Sequence, residues 1–371
     1  MTRILIATQP RDYHAFVIAA GLRHKGHDPV LWYGADFPIK QCGSIEVDGD
    51  GYRWSMRGEQ LDEPAAPFDV VWLRRPNAPQ VPKDLDPSDR VVAQRHCTAF
   101  YRAFWNLVAP DAFWVNSRFS RNADIKPRQL VEAREVGFTV PITLFSNDPE
   151  RIKAFLRQHE GETIYKSFAQ AHWQTDQGTA SLFTTTIGLD DLPDDDILQA
   201  SAGIFQRRVP RAFELRVTAM GHHMLAAKLV PPTEADGHID SRRTLGITTI
   251  EPFELPEPVA DRCRALLQRL GLVFGCFDLL VTPQGEVVFL EVNPMGQFLW
   301  VEQSQPELRV TDAFCELLGQ ARPDFEPSLR ENALRFADIR AQAREMALEA
   351  QERHIIPESN PMLKEQRDRS E

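Results

Sequence analysis

The chain has 371 residues, 43% of them apolar and 26% charged, with a net charge of −11. That balance suits a globular protein of two or three domains, and the acidic excess argues against non-specific nucleic-acid binding. The start, MTRILIATQPRD, has no signal-peptide core, no run of roughly 18 apolar residues is present to span a membrane, and the five cysteines form no C-x-x-C pair, so a cytoplasmic protein with reduced thiols is expected.

In chain order, RILIAT at 3–8 reads as a buried strand, followed by a helix over 13–25 and a second strand over 29–33. Asp48-Gly49-Asp50-Gly51 signals a hairpin. DVVWL at 69–73 is a further buried strand, closed by Arg74-Arg75-Pro76, and a helix over 89–107 follows. This β-α-β opening predicts a Rossmann-like domain over 1–117, without the G-x-G-x-x-G that would bind a dinucleotide. A second unit is expected over 118–202, with helices at 123–136 and 148–159 and strands at 139–145, 163–167 and 181–187. A third is expected over 203–328, with strands at 204–209, 213–219 and 223–229 and a helix over 258–270. Residues 329–371 read as a charged helix, solvated rather than functional, with a loose tail. The whole is an α/β protein.

The most informative stretch is FDLLVTPQGEVVFLEVNPMGQ at 277–297, two strands joined by a turn at Thr282-Pro283-Gln284-Gly285. Alternation puts Glu291 and Asn293 on one face. A four-residue loop sets Asp278 opposite Phe289, one diagonal step from Glu291. Leu279, Val281, Val288, Leu290 and Val292 are expected to fill the other face. Asp278, Glu291 and Asn293 then offer hard oxygen ligands to Mg²⁺ beneath a nucleotide's phosphates. Arg216 shares the face of Glu214 by the same period of two.

These residues carry a resemblance. FGCFDLLVTPQGEVVFLEVNPMGQFLWVE at 274–302 resembles the metal-binding end of ATP-grasp ligases, and its NP-x-GQ-x-x-W continuation is similar to graspetide synthetases, the microviridin-type branch. WVNSRFSRNADIKPRQLVEAREVGFTVPIT at 114–143 matches that branch as well. The resemblance implies an ATP-grasp fold whose two subdomains follow a Rossmann-like domain. It places Lys126 and Lys166 on the ATP phosphates, and the Gln206-Arg207-Val209 strand on adenine, where Arg207 replaces the usual acid. It puts Glu214 on the ribose hydroxyls, Arg216 on the transferred phosphate, and Arg242, within Asp240-Ser241-Arg242, on phosphate or substrate carboxylate. The loop AQAHWQTDQGTA at 169–180, with its single glycine, takes the place of the family's phosphate-covering lid.

The activity implied is ATP- and Mg²⁺-dependent closure of ester or amide rings in a ribosomally made precursor peptide, leader plus core, by a homodimer. A ligase for a free amino acid or small acid, or a nucleotide-binding scaffold without turnover, uses the same ATP residues. These alternatives differ only in the acceptor groove and in turnover.

Overall fold

The computed structural model describes residues 1–59, 62–63, 67–117, 120, 122–168, 172–175, 178–181, 184–230, 248–328 and 333–357. The first unit holds β1 (Arg3–Thr8), α1 (Tyr13–His24), β2 (Asp28–Tyr33), β3 (Cys42–Asp48), β4 (Gly51–Arg57), β5 (Asp62–Glu63), β6 (Val70–Leu73), α2 (Pro87–Leu107) and β7 (Phe113–Val115). Four of its strands make a parallel sheet in the order β2-β1-β6-β7. A sheet covered on both faces needs strands that are apolar throughout, and Ile4 to Ala7 are accordingly fully buried. α1 covers one face. α2 covers the other through Tyr101, Phe104 and Trp105, and its first turn is capped by Asp86, which accepts from Ser88 N.

The central elements are α3 (Lys126–Glu135), β8 (Thr143–Ser146), α4 (Pro149–Gln158), β9 (Thr163–Lys166), β10 (His172–Thr175), β11 (Gly178–Ser181), β12 (Thr185–Thr186), α5 (Asp195–Ala200) and β13 (Gly203–Arg207). Asp148 caps α4 by accepting from Glu150 N and Arg151 N, with Pro149 at the first position. The helix lays Ile152 and Leu156 on Phe205 of the sheet β12-β9-β13-β8. A division at residue 203 assigns β13 to the following unit, but its hydrogen bonds run to β8 and β9. β10 and β11 pair as an antiparallel hairpin.

The third unit contains β14 (Phe213–Met220), β15 (His223–Val230), β16 (Thr249–Phe253), α6 (Glu257–Leu270), β17 (Phe274–Val281), β18 (Val287–Asn293), α7 (Leu299–Ser304) and α8 (Val310–Gln320). Its antiparallel sheet runs β16-β15-β14-β17-β18. α6 turns Val259, Cys263, Leu266, Leu267 and Leu270 to one face of it, and each buried Leu contributes roughly 1.5–3 kcal/mol. α3 joins the same face through Ala133 and Leu130, so this helix packs on the third sheet rather than the central one. The opposite face is core at one end, where Met220, Phe274 and Cys276 meet Phe314 of α8. At its other end it carries charged groups.

The helix α9 (Phe336–Arg353) corrects the expectation of a solvated extension. Ile339, Ala343, Ala347 and Ala350 form one buried stripe that packs with α1. Glu302, Asp312 and Glu316 accept the backbone N–H groups of Phe336, Leu334 and Ser328. At the far end His354 Nδ1 lies 2.5 Å from Asp36 Oδ2, and Ile355 N donates to Asp36 Oδ1. Among the described residues no helix is long and apolar enough to cross a membrane.

Candidate active site

The hairpin β17–β18 differs from the expected register in one respect that matters. A β-bulge shifts the pairing between Asp278 and Leu279, so Asp278 faces Glu291 directly and Leu279 faces Phe289. The extra residue is Leu290. It reverses the alternation, so Phe289 rather than Leu290 enters the core beside Phe277, Leu279 and Val292, while Val288 is buried on the other face, opposite Leu280. Cys276 faces Asn293 and Arg216 faces Asp278. One row of charge thus crosses three strands: Arg216, Asp278, Glu291.

Arg216 Nη1 donates to Asp278 Oδ1 at 2.6 Å and Nη2 to Gln297 O at 3.0 Å. Lys126, at the start of α3, closes the row with Nζ 3.3 Å from Glu291 Oε2. Burial pushes the Asp278 carboxyl up; Glu291 adds to this and Arg216 opposes it. Burial acts the same way on Glu291, but Lys126 and Lys166 outweigh it and hold that carboxyl below its usual range. Burial disfavours the charge of Arg216, yet the facing Asp278 reverses this and the net shift is upward.

A second row lies on the central sheet. Lys166 Nζ donates to Gln206 Oε1 at 2.7 Å, and Gln206 Nε2 to Thr143 Oγ1 at 2.9 Å. Leu144, Tyr165 and Phe205 point toward α4, so Thr143, Lys166, Gln206, Ile164 and Ile204 share the other face. Ile164 and Ile204 are buried there, an apolar floor suited to a purine beside the polar row. The side chain of Arg207 turns away to Glu162, Nε to Oε2 at 2.8 Å, and its N–H is given to Ile142 O at 2.8 Å, which leaves its carbonyl as the expected contact. The Val209 N–H makes no hydrogen bond to a described residue. Glu214 is bonded by Arg211, and a carboxylate keeps further lone pairs for sugar hydroxyls. Thr143, Ile164 and Ile204 were not read from the sequence as site residues. A strand's period of two names Ile164 and Ile204 once Lys166 and Gln206 are placed.

Asn293 stands on the face of Glu291, but its Oδ1 already accepts from Met295 N at 3.0 Å and Gly296 N at 3.1 Å. It reaches a cation only by giving up one of these bonds. Arg242 lies outside the described residues. The donor set fits Mg²⁺: two facing carboxylates, one destabilised as an anion by burial, leave charge that a small divalent ion offsets. Arg216 Nε is a buried donor with no partner among the described residues, a place for an anionic oxygen.

No protein-family model matches the sequence, and no curated protein matches it. Solved structures do. The macrocyclase MdnC from Microcystis aeruginosa MRC, bound with precursor peptide MdnA, is 26% identical with a TM-score of 0.72; the match covers 86% of this chain and 100% of that one. The RiPP-associated ATP-grasp ligase of Chryseobacterium gregarium, in complex with ADP and a leader and core peptide, is 23% identical with a TM-score of 0.78, covering 89% and 100%. The macrocyclase MdnB from Microcystis aeruginosa MRC is 26% identical with a TM-score of 0.70, covering 86% and 99%. The chain has the ATP-grasp fold, and over most of its length it is similar in structure to the RiPP ATP-grasp ligases and macrocyclases, the graspetide synthetases.

Proposed function

We propose that the protein is an ATP-dependent ligase that closes ester or amide rings within a ribosomally made precursor peptide. The observation that carries this reading is the row Lys126–Glu291–Asp278–Arg216, with Lys166 near enough to act on Glu291. It is a phosphoryl-transfer template on a fold shared with macrocyclases. A side-chain carboxylate oxygen of the peptide bonds to the γ-phosphorus of ATP as the β–γ bridging bond breaks and ADP leaves. A Ser or Thr hydroxyl, or a Lys amine, of the same peptide then attacks the acyl carbon. Phosphate departs with the carboxylate's oxygen, and the attacking group loses its proton to solvent. Both reacting groups belong to one bound chain, so ring closure gains from proximity.

Lys126 and Lys166 offset the phosphate charge, and Arg216 stabilises the oxygens of the group in transfer. Ile164 and Ile204 receive the base, the backbone at Arg207 and Val209 meets its polar edge, and Glu214 takes the ribose hydroxyls. When bound, Mg²⁺ held by Asp278 and Glu291, with Asn293 as the third donor, would supply positive charge at the phosphoryl oxygens. Arg242 is kept as a substrate or phosphate contact on the strength of the resemblance alone. The resemblance likewise carries a cytoplasmic homodimer that recognises a leader segment.

Mass spectrometry of a short Thr/Ser/Lys- and Asp/Glu-rich peptide from a neighbouring reading frame, co-expressed with the protein, tests the proposal. Loss of one water per ring is expected. An unmodified peptide, alongside ATP-dependent coupling of a free amino acid, would replace this reading with that of a small-acid ligase.

A further inference from the structure

Every residue but one from Val292 to Leu299 has a backbone group held by a side chain from elsewhere in the chain, the exception being Asn293, which bonds the turn itself. Gln129 of α3 clamps Val292, accepting from its N–H at 3.1 Å and donating to its carbonyl at 2.7 Å. Asn116 donates to Pro294 O at 2.8 Å and accepts from Phe274 N at 2.9 Å. Arg74, at the end of β6, donates through Nη1 to Gly296 O at 2.6 Å and to Met295 O. Arg216 takes the carbonyl of Gln297. His14 Nε2 accepts from Phe298 N at 3.2 Å and Leu299 N at 3.4 Å, with its ring edge-on to Phe298.

Arg74 is the unusual member. Its side chain is 0% exposed, and Asp12 braces it, Nε to Oδ2 at 2.9 Å. A buried ion pair is weak evidence for stability, because well-packed apolar groups often serve as well or better. What an apolar side chain cannot do is fix two successive carbonyls by direction. His14 holds backbone by direction as well, from the acceptor side. Burial first, then Arg74, Arg75 and Arg216, push its pKa down to about 3, so the ring stays neutral and Nε2 keeps its lone pair.

We propose that Arg74, braced by Asp12 and assisted by His14, is a positioning residue through which the N-terminal domain sets the loop between Asn293 and Gln297. By that loop it aligns Arg216, Asp278 and Glu291 for a Mg²⁺-bound nucleotide. The inference rests on the metal assignment and goes beyond it, since Arg74 and His14 bond the loop backbone and Asp12 bonds Arg74.

The readout is the ratio of ADP dissociation constants measured with EDTA and with MgCl₂, together with the melting temperature. Arg74→Met should shrink that ratio by about 10- to 100-fold, the scale of an ångström-sized misplacement. Arg74→Lys should recover part of it. Phe104→Leu, in the α2 core on the other side of the parallel sheet, should lower the melting temperature and leave the ratio alone. Arg74→Met that is less stable but keeps the wild-type ratio has lost packing only, and overturns the inference. Should Arg74→Met fail to fold, His14→Phe decides by the same ratio: a reduced ratio supports positioning and an unchanged one refutes it. Asp278→Asn separates the levels. If it leaves the ratio intact, the metal assignment fails and takes this inference with it. If it abolishes the ratio while both Arg74→Met and His14→Phe do not, only the positioning role is lost.

Discussion

The row on the third sheet and the row on the central sheet of the proposed nucleotide site are built in opposite ways. Arg216, Asp278 and Glu291 are ions in strand register, on a core-backed sheet, with neighbouring backbone pinned by Gln129, Asn116 and Arg74. Lys166, Gln206 and Thr143 form a chain of hydrogen bonds that ends on β8, an edge strand. The first is a fixed charge template, whose members hold each other's ionisation. The second is a set of hydrogen bonds, joined to the first by the pull of Lys166 on Glu291. Mutation should therefore be all-or-none on one row and graded on the other.

Asp278→Asn or Glu291→Gln should reduce ADP formation by on the order of 10³-fold, the scale of removing a preorganised electrostatic group. Circular dichroism should show the fold intact, and near-wild-type turnover from either variant would sink the metal assignment. Arg216→Met should cost about 10²- to 10³-fold in turnover. It should also cost about 1–3 kcal/mol in stability, because Asp278, only partly buried and so partly screened by water, loses its charged hydrogen bond. Urea unfolding of this variant with and without added Mg²⁺ checks the second part, since a cation should restore some of the loss. Lys166→Met should weaken ATP binding by only about tenfold, near the worth of one charged hydrogen bond. A loss as large as that of Asp278→Asn would show that the two rows are not built differently after all.

Much of this contrast was legible in the sequence, and the illegible part has identifiable causes. Period-two reading placed Arg216 beside Glu214, and Glu291 beside Asn293, because strand alternation is local. It missed the direct pairing of Asp278 with Glu291, since the bulge at Leu290 is an apolar residue in an apolar strand and leaves no turn signal. Arg74, His14, Asn116 and Gln129 were out of reach because each acts on a segment more than 150 residues away. The C-terminal helix was misread for a different reason. Its buried stripe is mostly alanine, which counts little in a hydrophobic pattern but lets α9 approach α1 closely.

That last point gives a smaller prediction. Ala343→Leu should overpack the α1–α9 contact and cost about 1–3 kcal/mol, seen as a lower melting temperature. The ADP dissociation constants with and without Mg²⁺ should stay at wild-type values. A change in them would place α9 within the site's reach.

The weakest expected effect is on the acid side of stability, and its sign separates the two carboxylates. The folded-state pKa of Glu291 is depressed, so its contribution is present above the usual 4.5 and is lost as pH falls through the folded value. That of Asp278 is raised, so above 3.8 the folded state holds its proton more tightly than the unfolded chain, and stability falls as pH rises through the folded value. The two slopes oppose each other and partly cancel in the apo protein. Glu291→Gln removes the rising slope below 4.5 and also the like charge that helps lift Asp278, so the Asp278 transition moves to lower pH. Melting temperatures taken from about pH 3 to about pH 7 should therefore climb less steeply with pH in Glu291→Gln than in the wild type. Asp278→Asn should make the climb steeper, since only the Glu291 slope is left. Equal slopes in the two variants would mean that the two carboxylates are not shifted in opposite directions in the folded protein.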